Sequence, residues 1–196
     1  METAGSYTLS SPDTWVEKYA DILYSYALKR VSRPETAEEL VQETFVSGLT
    51  GRQGFHGNAA ERTWLISILR HKIMDYYRAS YRHTTMSPDK LDVLTEENLF
   101  DGRGNWISKP EKWREDPSHV YEQQEFMEVL NRCLEHLSSR AADAFRLREI
   151  VGADTEEICK VLAISPTNYW VLMHRARLRM RSCLEADWFA LPEGVG

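Results

Sequence analysis

The chain has 196 residues, 42% of them hydrophobic and 28% charged, and a formal net charge of −6 at pH 7. This length fits one large domain or two small ones, and the composition is ordinary for a soluble protein. No stretch approaches the roughly 18–20 apolar residues of a membrane span, and the first residues lack the pattern of a signal peptide. We therefore expect a cytoplasmic protein without membrane insertion.

The first block, residues 12–82, has apolar residues at helical spacing throughout, and no alternating pattern in it requires a strand. Its first helix is expected to open at Ser11 and Pro12, a capping residue followed by the proline that favours a first helical turn. The second helix lies in SRPETAEELVQETFVSGL, with one predicted core stripe: Leu40, Val41, Thr44, Phe45 and Leu49.

Two capping boxes are expected in this block. Thr36 and Glu39 have the required spacing in the second helix. The glycine-punctuated loop TGRQGFHGN then interrupts the helical pattern. After it, Asn58 and Glu61 have the spacing of a second box, at the start of a third helix within AAERTWLISILRHKIMDYYR.

Residues 83–118 are predicted to be an acidic linker. They contain three prolines and two glycines and show no sustained period, which would be unusual inside a compact domain. Residues 15–82 hold 10 Lys/Arg against 8 Asp/Glu, residues 126–184 hold 9 against 7, and residues 83–125 hold 5 against 10. Two mildly basic blocks are therefore separated by an acidic segment, a pattern that the overall negative charge hides.

The second block, residues 119–187, is also predicted to be helical. Gly152 is placed to end a helix, Asp154 and Glu157 to cap the next one, and Ser165 with Pro166 to start the last. Only about three residues separate the helices TEEICKVL and PTNYWVLMHRARLRMR. This spacing indicates a helix-turn-helix, in which the second helix enters the major groove of DNA with its first residues near the base edges.

The last helix is expected to have one core face and one outward face. At 100° per residue, the core face contains Tyr169, Leu172, Met173, Ala176 and Met180. The outward face carries Thr167, Trp170, Val171, His174, Arg177, Leu178 and Arg181, and Asn168, Arg175 and Arg179 flank the core on the other side. Arginines on both sides are suited to phosphates on the two walls of a groove.

Metal and catalytic sites are not indicated. Cys133, Cys159 and Cys183 form no CxxC and no metal-ligand spacing, so we expect buried or half-buried thiols. His71 and Asp75 lie one helical turn apart, but no third ligand is spaced to join them. No cofactor is predicted.

Three segments in this order carry a family resemblance: AEELVQETF, RTWLISILRHKIMDYYR, and the region from LSSRAADAF to LMHRARLRMR. Together they resemble a bacterial RNA polymerase sigma factor of the sigma-70 family, in the two-domain extracytoplasmic-function (ECF) class. The resemblance covers residues 15–82 and 125–184. It implies a protein that starts transcription by directing core RNA polymerase to specific promoters.

The resemblance assigns two tasks to the first domain. Its second helix would dock on the coiled coil of the beta-prime subunit through Glu38, Glu39, Gln42 and Glu43. The glycine-rich loop would capture a base of the melted minus-ten element, with Phe55 for stacking and His56 and Asn58 for polar contacts. The following helix would add contacts to the strand from Arg62, Arg70, His71 and Lys72. Trp64 fits either the core or a wedge between bases.

The second domain would read the minus-thirty-five element and contact the beta flap. The implied DNA-binding residues are Thr167, Asn168, Trp170, Val171, His174, Arg175 and Arg177. Family members often have TVKSRLHRA where this chain has NYWVLMHRA. On the outward face, Trp170 and Val171 thus replace a lysine and a serine. These residues fit contact with thymine methyl groups or docking of a protein such as an anti-sigma factor.

Two other classes of protein fit parts of the pattern. A different DNA-binding regulator could use the same helix-turn-helix with residues 1–110 as a sensor or dimerisation domain, and it would bind duplex DNA alone. An enzyme would need a nucleotide loop or a nucleophile motif, and the sequence offers neither.

Overall fold

The computed structural model describes residues 7–31, 33–82 and 124–189, and within these ranges every regular element is helical. The all-helical fold is therefore confirmed. The described residues form two compact units, the first ending at Arg82 and the second beginning at Gln124. The predicted linker, residues 83–118, lies outside the described residues.

The first unit is a three-helix assembly in which each helix packs against the other two. Its helices are α1 (Trp15–Leu28), α2 (Pro34–Gly51) and α3 (Glu61–Arg82). Short 3₁₀ turns, Pro12–Thr14 and Arg52–Gly54, precede α1 and follow α2. The helices bury a shared apolar core that includes Trp15, Leu23, Ala27, Leu40, Leu65, Leu69 and Ile73.

Helix α2 packs closely against Trp15 and Leu65 at Gly48. A Cβ atom at this position would lie 3.0 Å from Cζ3 of Trp15 and 3.2 Å from Cδ2 of Leu65, so these two side chains would have to give way to any larger residue. Gly48 therefore occupies the inward position of the last turns of α2. The neighbouring Leu49, predicted in the core stripe, is instead 48% exposed.

The two capping boxes predicted in the first unit are wrong. Helix α2 begins at Pro34, with Arg33 before it, and Thr36 is already buried inside the helix. Helix α3 begins at Glu61, and the carboxylate of this residue bonds to side chains and backbone of the preceding segment and of α1. Tertiary contacts have replaced the local capping arrangement.

The second unit contains four α-helices within the described residues. In chain order they are α4 (Gln124–Glu135), α5 (Ser139–Phe145), α6 (Thr155–Leu162) and α7 (Pro166–Leu184). Wider turns of π-helix, Arg146–Ile150 and Glu185–Phe189, continue α5 and α7.

The start and stop signals of the second block are confirmed. Gly152 has a φ of 73°, which glycine adopts without strain. The backbone N–H of Glu157 donates to Oδ1 of Asp154 at 2.8 Å, and the N–H of Asp154 donates to Oε2 of Glu157 at 3.3 Å. Ser165 caps α7 by accepting from the N–H of Asn168 at 3.2 Å. Local sequence thus defines the limits of α6 and the start of α7.

Helices α4, α5 and α7 share a hydrophobic core, and a covalent bond lies within it. Cys133 on α4 and Cys183 in the last turn of α7 form a disulfide with their Cα atoms 5.8 Å apart. The prediction of isolated thiols is therefore wrong for these two residues, because helices that are distant in sequence pack at a disulfide-compatible distance. Cys159 remains a half-buried free thiol.

Candidate nucleic-acid and polymerase interfaces

A tight turn joins α6 to α7 and fixes the angle between them. Ala163 ends α6 with φ 51° and ψ 51°, a left-handed conformation that is uncommon for residues other than glycine. The next residue, Ile164, donates its N–H to the carbonyl of Cys159 at 3.1 Å. Ile158 and Tyr169 are fully buried on the two sides of this turn. The geometry is that of a helix-turn-helix.

The first two turns of α7 present the predicted base-reading residues to solvent. Thr167 and Asn168 are exposed. Trp170 and Val171 are also exposed, at 44% and 38%. Tyr169, which lies between these pairs, is buried and supports the indole of Trp170 edge-on at 5.2 Å. The structure therefore groups polar and apolar side chains at the end of the helix that would face base edges.

Further along α7, the predicted outward face is partly covered. Glu149, in the turn that continues α5, accepts hydrogen bonds from Nη2 and Nε of Arg177 at 2.7 and 3.2 Å. Leu178, predicted to face outward, is only 9% exposed. That prediction is wrong for Leu178, which is buried, while the neighbouring Arg177 is held by Glu149 at the end of α5. His174 and Arg175 are half-buried.

In the first unit, an aromatic row supports the glycine-rich loop. The ring of Phe55 contacts Trp64 edge-on at 5.3 Å, and Trp64 contacts Trp15 in the same way at 5.9 Å. Phe55 and Trp64 are half-buried, whereas Trp15 is 1% exposed. Phe55 is therefore seated on the core, with part of its ring accessible.

The polar residues of this loop project from a backbone that is held in place. His56 and Asn58 are exposed on either side of Gly57, which is buried. Gly57 has a φ of 70°, and its carbonyl accepts from the backbone N–H of Tyr7 at 3.1 Å. Arg62 is exposed in the first turn of α3. These residues form a compact polar group at the start of α3.

A buried carboxylate connects this group to the segment before α1. Glu61 accepts from the backbone N–H and hydroxyl of Ser10 at 2.7 and 2.8 Å. It also accepts from Nε1 of Trp15 at 2.9 Å and from the hydroxyl of Tyr19 at 2.8 Å. Burial would raise the pKa of Glu61, but these hydrogen bonds outweigh it and hold the pKa below the ordinary glutamate value. Sequence reasoning missed this role.

The remaining predicted strand contacts on α3 are separated from the loop. Arg70, His71 and Lys72 lie 8 to 10 residues beyond Arg62 in sequence, or about 12–15 Å along the helix. Nζ of Lys72 is 3.3 Å from a carboxylate oxygen of Glu43 on α2. The structure thus pairs a residue predicted to bind DNA with one predicted to bind polymerase.

The predicted polymerase-binding residues form one exposed surface of α2. Glu38, Glu39, Gln42 and Glu43 are all exposed. Val46 and Leu49 extend the same helix toward its end and are 61% and 48% exposed. Neither of these two apolar residues was expected on the surface. The helical spacing from Gln42 to Val46 was the signal that could have placed Val46 there.

One group of potential metal ligands occurs among the described residues. Potential ligand atoms of Cys133, Cys183 and Asp187 lie within 4.8 Å of one another. The two sulfurs are bonded to each other, so they do not offer thiolates to an ion in this state. None of the helices within the described ranges is both long and apolar enough to span a membrane.

Comparison with known proteins decides the family. Residues 15–83 match the model for sigma-70 region 2, and residues 127–180 match the one for sigma-70 region 4. A probable RNA polymerase sigma factor of Haemophilus influenzae is 32% identical over 83% of this chain and 84% of that protein. This chain belongs to the sigma-70 family of RNA polymerase sigma factors.

Two Bacillus subtilis relatives agree with this assignment. The RNA polymerase sigma factor YlaC is 29% identical over 88% of this chain and 90% of its own length. The ECF sigma factor SigX is 24% identical over 86% of this chain and 81% of its own length. The chain is a sigma factor of the ECF class, which directs core RNA polymerase to promoters and so starts transcription.

Proposed function

We propose that this sigma factor reads its promoter with two separate surfaces and docks on core polymerase with a third. In this proposal α7 reads the minus-thirty-five duplex, the loop before α3 captures a base of the minus-ten strand, and α2 binds the polymerase. The chain itself performs no chemistry. It works in the cytoplasm, where RNA polymerase is found.

The observation that carries the proposal is the exposed start of α7 in a rigid helix-turn-helix. Thr167 and Asn168 offer hydrogen-bonding groups, whereas Trp170 and Val171 offer apolar surface that suits the methyl group of thymine. Arg175, further along the helix, is assigned to a phosphate. Arg177 contributes less than the sequence suggests, because Glu149 neutralises its guanidinium.

The loop before α3 suits a single unstacked base. His56 and Asn58 supply polar edges, and the accessible part of Phe55 supplies a stacking surface. Arg62 is close enough in sequence to contact the adjoining phosphate. Trp64 supports Phe55 from the core side, so we assign it to the structure of the loop rather than to a wedge between bases. Arg70 and His71 would contact the strand further along.

Helix α2 is assigned to the coiled coil of the beta-prime subunit. Its exposed Glu38, Glu39 and Gln42 provide charged and polar contacts, and Val46 and Leu49 add apolar area of the kind found at protein interfaces. Glu43 is shared with Lys72. The contact of the second domain with the beta flap follows from the family alone.

Control by an anti-sigma factor is the last part of the proposal. Trp170 and Val171 form an exposed apolar patch on the surface that would otherwise meet DNA. An inhibitor covering this patch would remove it from water and block the promoter-reading surface in one step.

Promoter binding by the reconstituted holoenzyme tests the assignment of α7. We expect Trp170→Ala to change the ranking of affinities among duplexes that differ at single minus-thirty-five positions. Arg175→Ala is the matched control, because loss of one phosphate contact should weaken all duplexes alike and reduce the salt slope by about 0.9. If Trp170→Ala leaves the ranking unchanged, α7 does not read bases through this residue.

A further inference from the structure

The bond between Cys133 and Cys183 lies where it can control the DNA-reading helix. Cys183 is in the last turn of α7, and Cys133 is on α4. The bond is 13 residues from Trp170, about 20 Å along the helix. It therefore holds α7 to the rest of its domain without covering the surface that would meet DNA.

The two sulfurs lie in and beside the hydrophobic core of the second unit. Forming or breaking their bond therefore changes a contact within this core. Cys133 is 1% exposed and lies among Leu130, Leu134, Ala176 and Met180, while Cys183 is partly buried at the edge of the same cluster. Beyond Cys183, the ring of Trp188 contacts Phe126 of α4 edge-on at 5.3 Å. The end of the chain's last described helix is thus fixed to α4 by both a covalent bond and apolar contacts.

We propose that Cys133 and Cys183 are a reversible redox modification site whose oxidation locks α4 onto α7. A disulfide in a protein that works beside RNA polymerase faces a reducing environment, where such bonds are usually transient and regulatory. The inference that the chain meets a reducing environment rests on the proposed function. The chemistry and the stability change do not, and they are tested separately below.

The co-reactant is a low-molecular-weight disulfide, and exposure sets the order of events. Cys183, the more accessible sulfur, loses its proton and attacks one sulfur of the co-reactant, forming a mixed disulfide and releasing one thiolate, which takes up a proton. The thiolate of Cys133 then attacks the Cys183 sulfur and displaces the second thiolate, which is protonated in turn. Two protein thiols are oxidised, and one small disulfide is reduced to two thiols.

The test titrates the full chain in mixtures of reduced and oxidised glutathione, with alkylation and mass spectrometry to count free thiols. Cys159→Ser serves as the background, since it removes the third thiol and leaves the pair intact. At each ratio of reduced to oxidised glutathione, we expect the same fraction of disulfide whether the titration starts from the reduced or from the oxidised chain. Cys133→Ser should accumulate one glutathione on Cys183, whereas Cys183→Ser should stay unmodified because Cys133 is buried. If the serine of Cys133→Ser disturbs the core, Cys133→Ala should accumulate the same mixed disulfide between glutathione and Cys183.

Thermal melting of the same samples tests the lock. The bond joins residues 50 apart in sequence, and closing a loop of this size should raise the Tm of the second domain by about 15 °C or more. The proposal is overturned if Cys133 and Cys183 stay reduced in excess oxidised glutathione. It is also overturned if their disulfide is reduced only after the domain has unfolded. An unchanged Tm would overturn it too, as would a reduced chain that binds one added Zn²⁺ through the pair and thereby resists oxidation.

Discussion

Replacement of Glu61 should destabilise the first domain more than any change on its surface. Glu61 is 8% exposed and accepts four hydrogen bonds of 2.7–2.9 Å. In Glu61→Ala, the indole N–H of buried Trp15 loses its partner, which costs about 1–3 kcal/mol, and the charge-assisted bonds from Ser10 and Tyr19 are lost as well. Because these two groups can rebond to water, we expect a total loss of about 3–4 kcal/mol.

Glu61→Gln removes the negative charge of the side chain but keeps its size and shape. The amide oxygen still accepts from the N–H groups of Ser10 and Trp15, and the two hydroxyl donors can rotate to accept from the amide nitrogen. We therefore expect a loss of only about 1–2 kcal/mol, the part due to charge assistance.

The pH dependence of stability gives an independent readout of the same carboxylate. The folded pKa of Glu61 is lowered, so its contribution is present above the unfolded carboxyl pKa of about 4.3 and is lost as the pH falls through the folded pKa. Below about pH 4.3 the stability of the wild-type first domain should thus fall more steeply than that of Glu61→Gln.

Hydrogen exchange with mass spectrometry measures the stability of the first domain in the full chain. Peptides from α1 and α3 report opening of the first domain, and peptides from α7 provide an internal reference. Glu39→Gln, a change of the same kind at an exposed position of α2, is the matched control and should shift exchange by less than about 0.5 kcal/mol. The reasoning fails if Glu61→Ala behaves like this control.

Three further changes have defined outcomes. Gly48→Ala should destabilise the first domain by about 1–3 kcal/mol through contact with Trp15, while Gly51→Ala, where a Cβ meets nothing within 4 Å, should be neutral or stabilising in urea melts. Ala163→Gly should stabilise the second domain by about 1 kcal/mol by relieving its left-handed backbone, and an unchanged melt would count against strain there. Glu149→Gln should remove the negative charge paired with Arg177 and raise the promoter affinity of the holoenzyme, most strongly at low salt; equal affinity would show that the ion pair does not compete with DNA.

Local signals in the sequence predicted three helix ends of the second domain correctly. The capping box of Asp154 and Glu157, the turn at Gly152 and the start of α7 at Ser165 were all predicted and are all present. The bonds that cap α6 and start α7 join residues three apart in sequence, so spacing alone determines them. The helical periods likewise predicted the all-helical fold.

Contacts between helices decided the positions that the sequence analysis placed wrongly. Glu61 had the spacing of a capping residue, but donors from Ser10, Trp15 and Tyr19 occupy its carboxylate. Leu178 was assigned to the outward face, yet it is only 9% exposed in the folded domain. A helical wheel describes one helix at a time and contains no information about which neighbour approaches which side.

The disulfide shows the same limit at longer range. Cys133 and Cys183 are 50 residues apart and lie in no recognisable motif. Their proximity follows from the packing of α4 against α7, which the sequence does not reveal. Leu49 on α2 was placed in the core for a related reason, since Gly48 takes the inward position that an apolar residue was expected to fill.

Transcription from reconstituted polymerase tests the central claim most directly. Purified chain is mixed with core enzyme that lacks any sigma factor, and transcripts are mapped on genomic DNA fragments from the source organism. Discrete transcription starts should require both the chain and core, and the chain alone should bind the same promoters only weakly. Failure of the chain to bind core, or tight and specific promoter binding without it, would contradict the account.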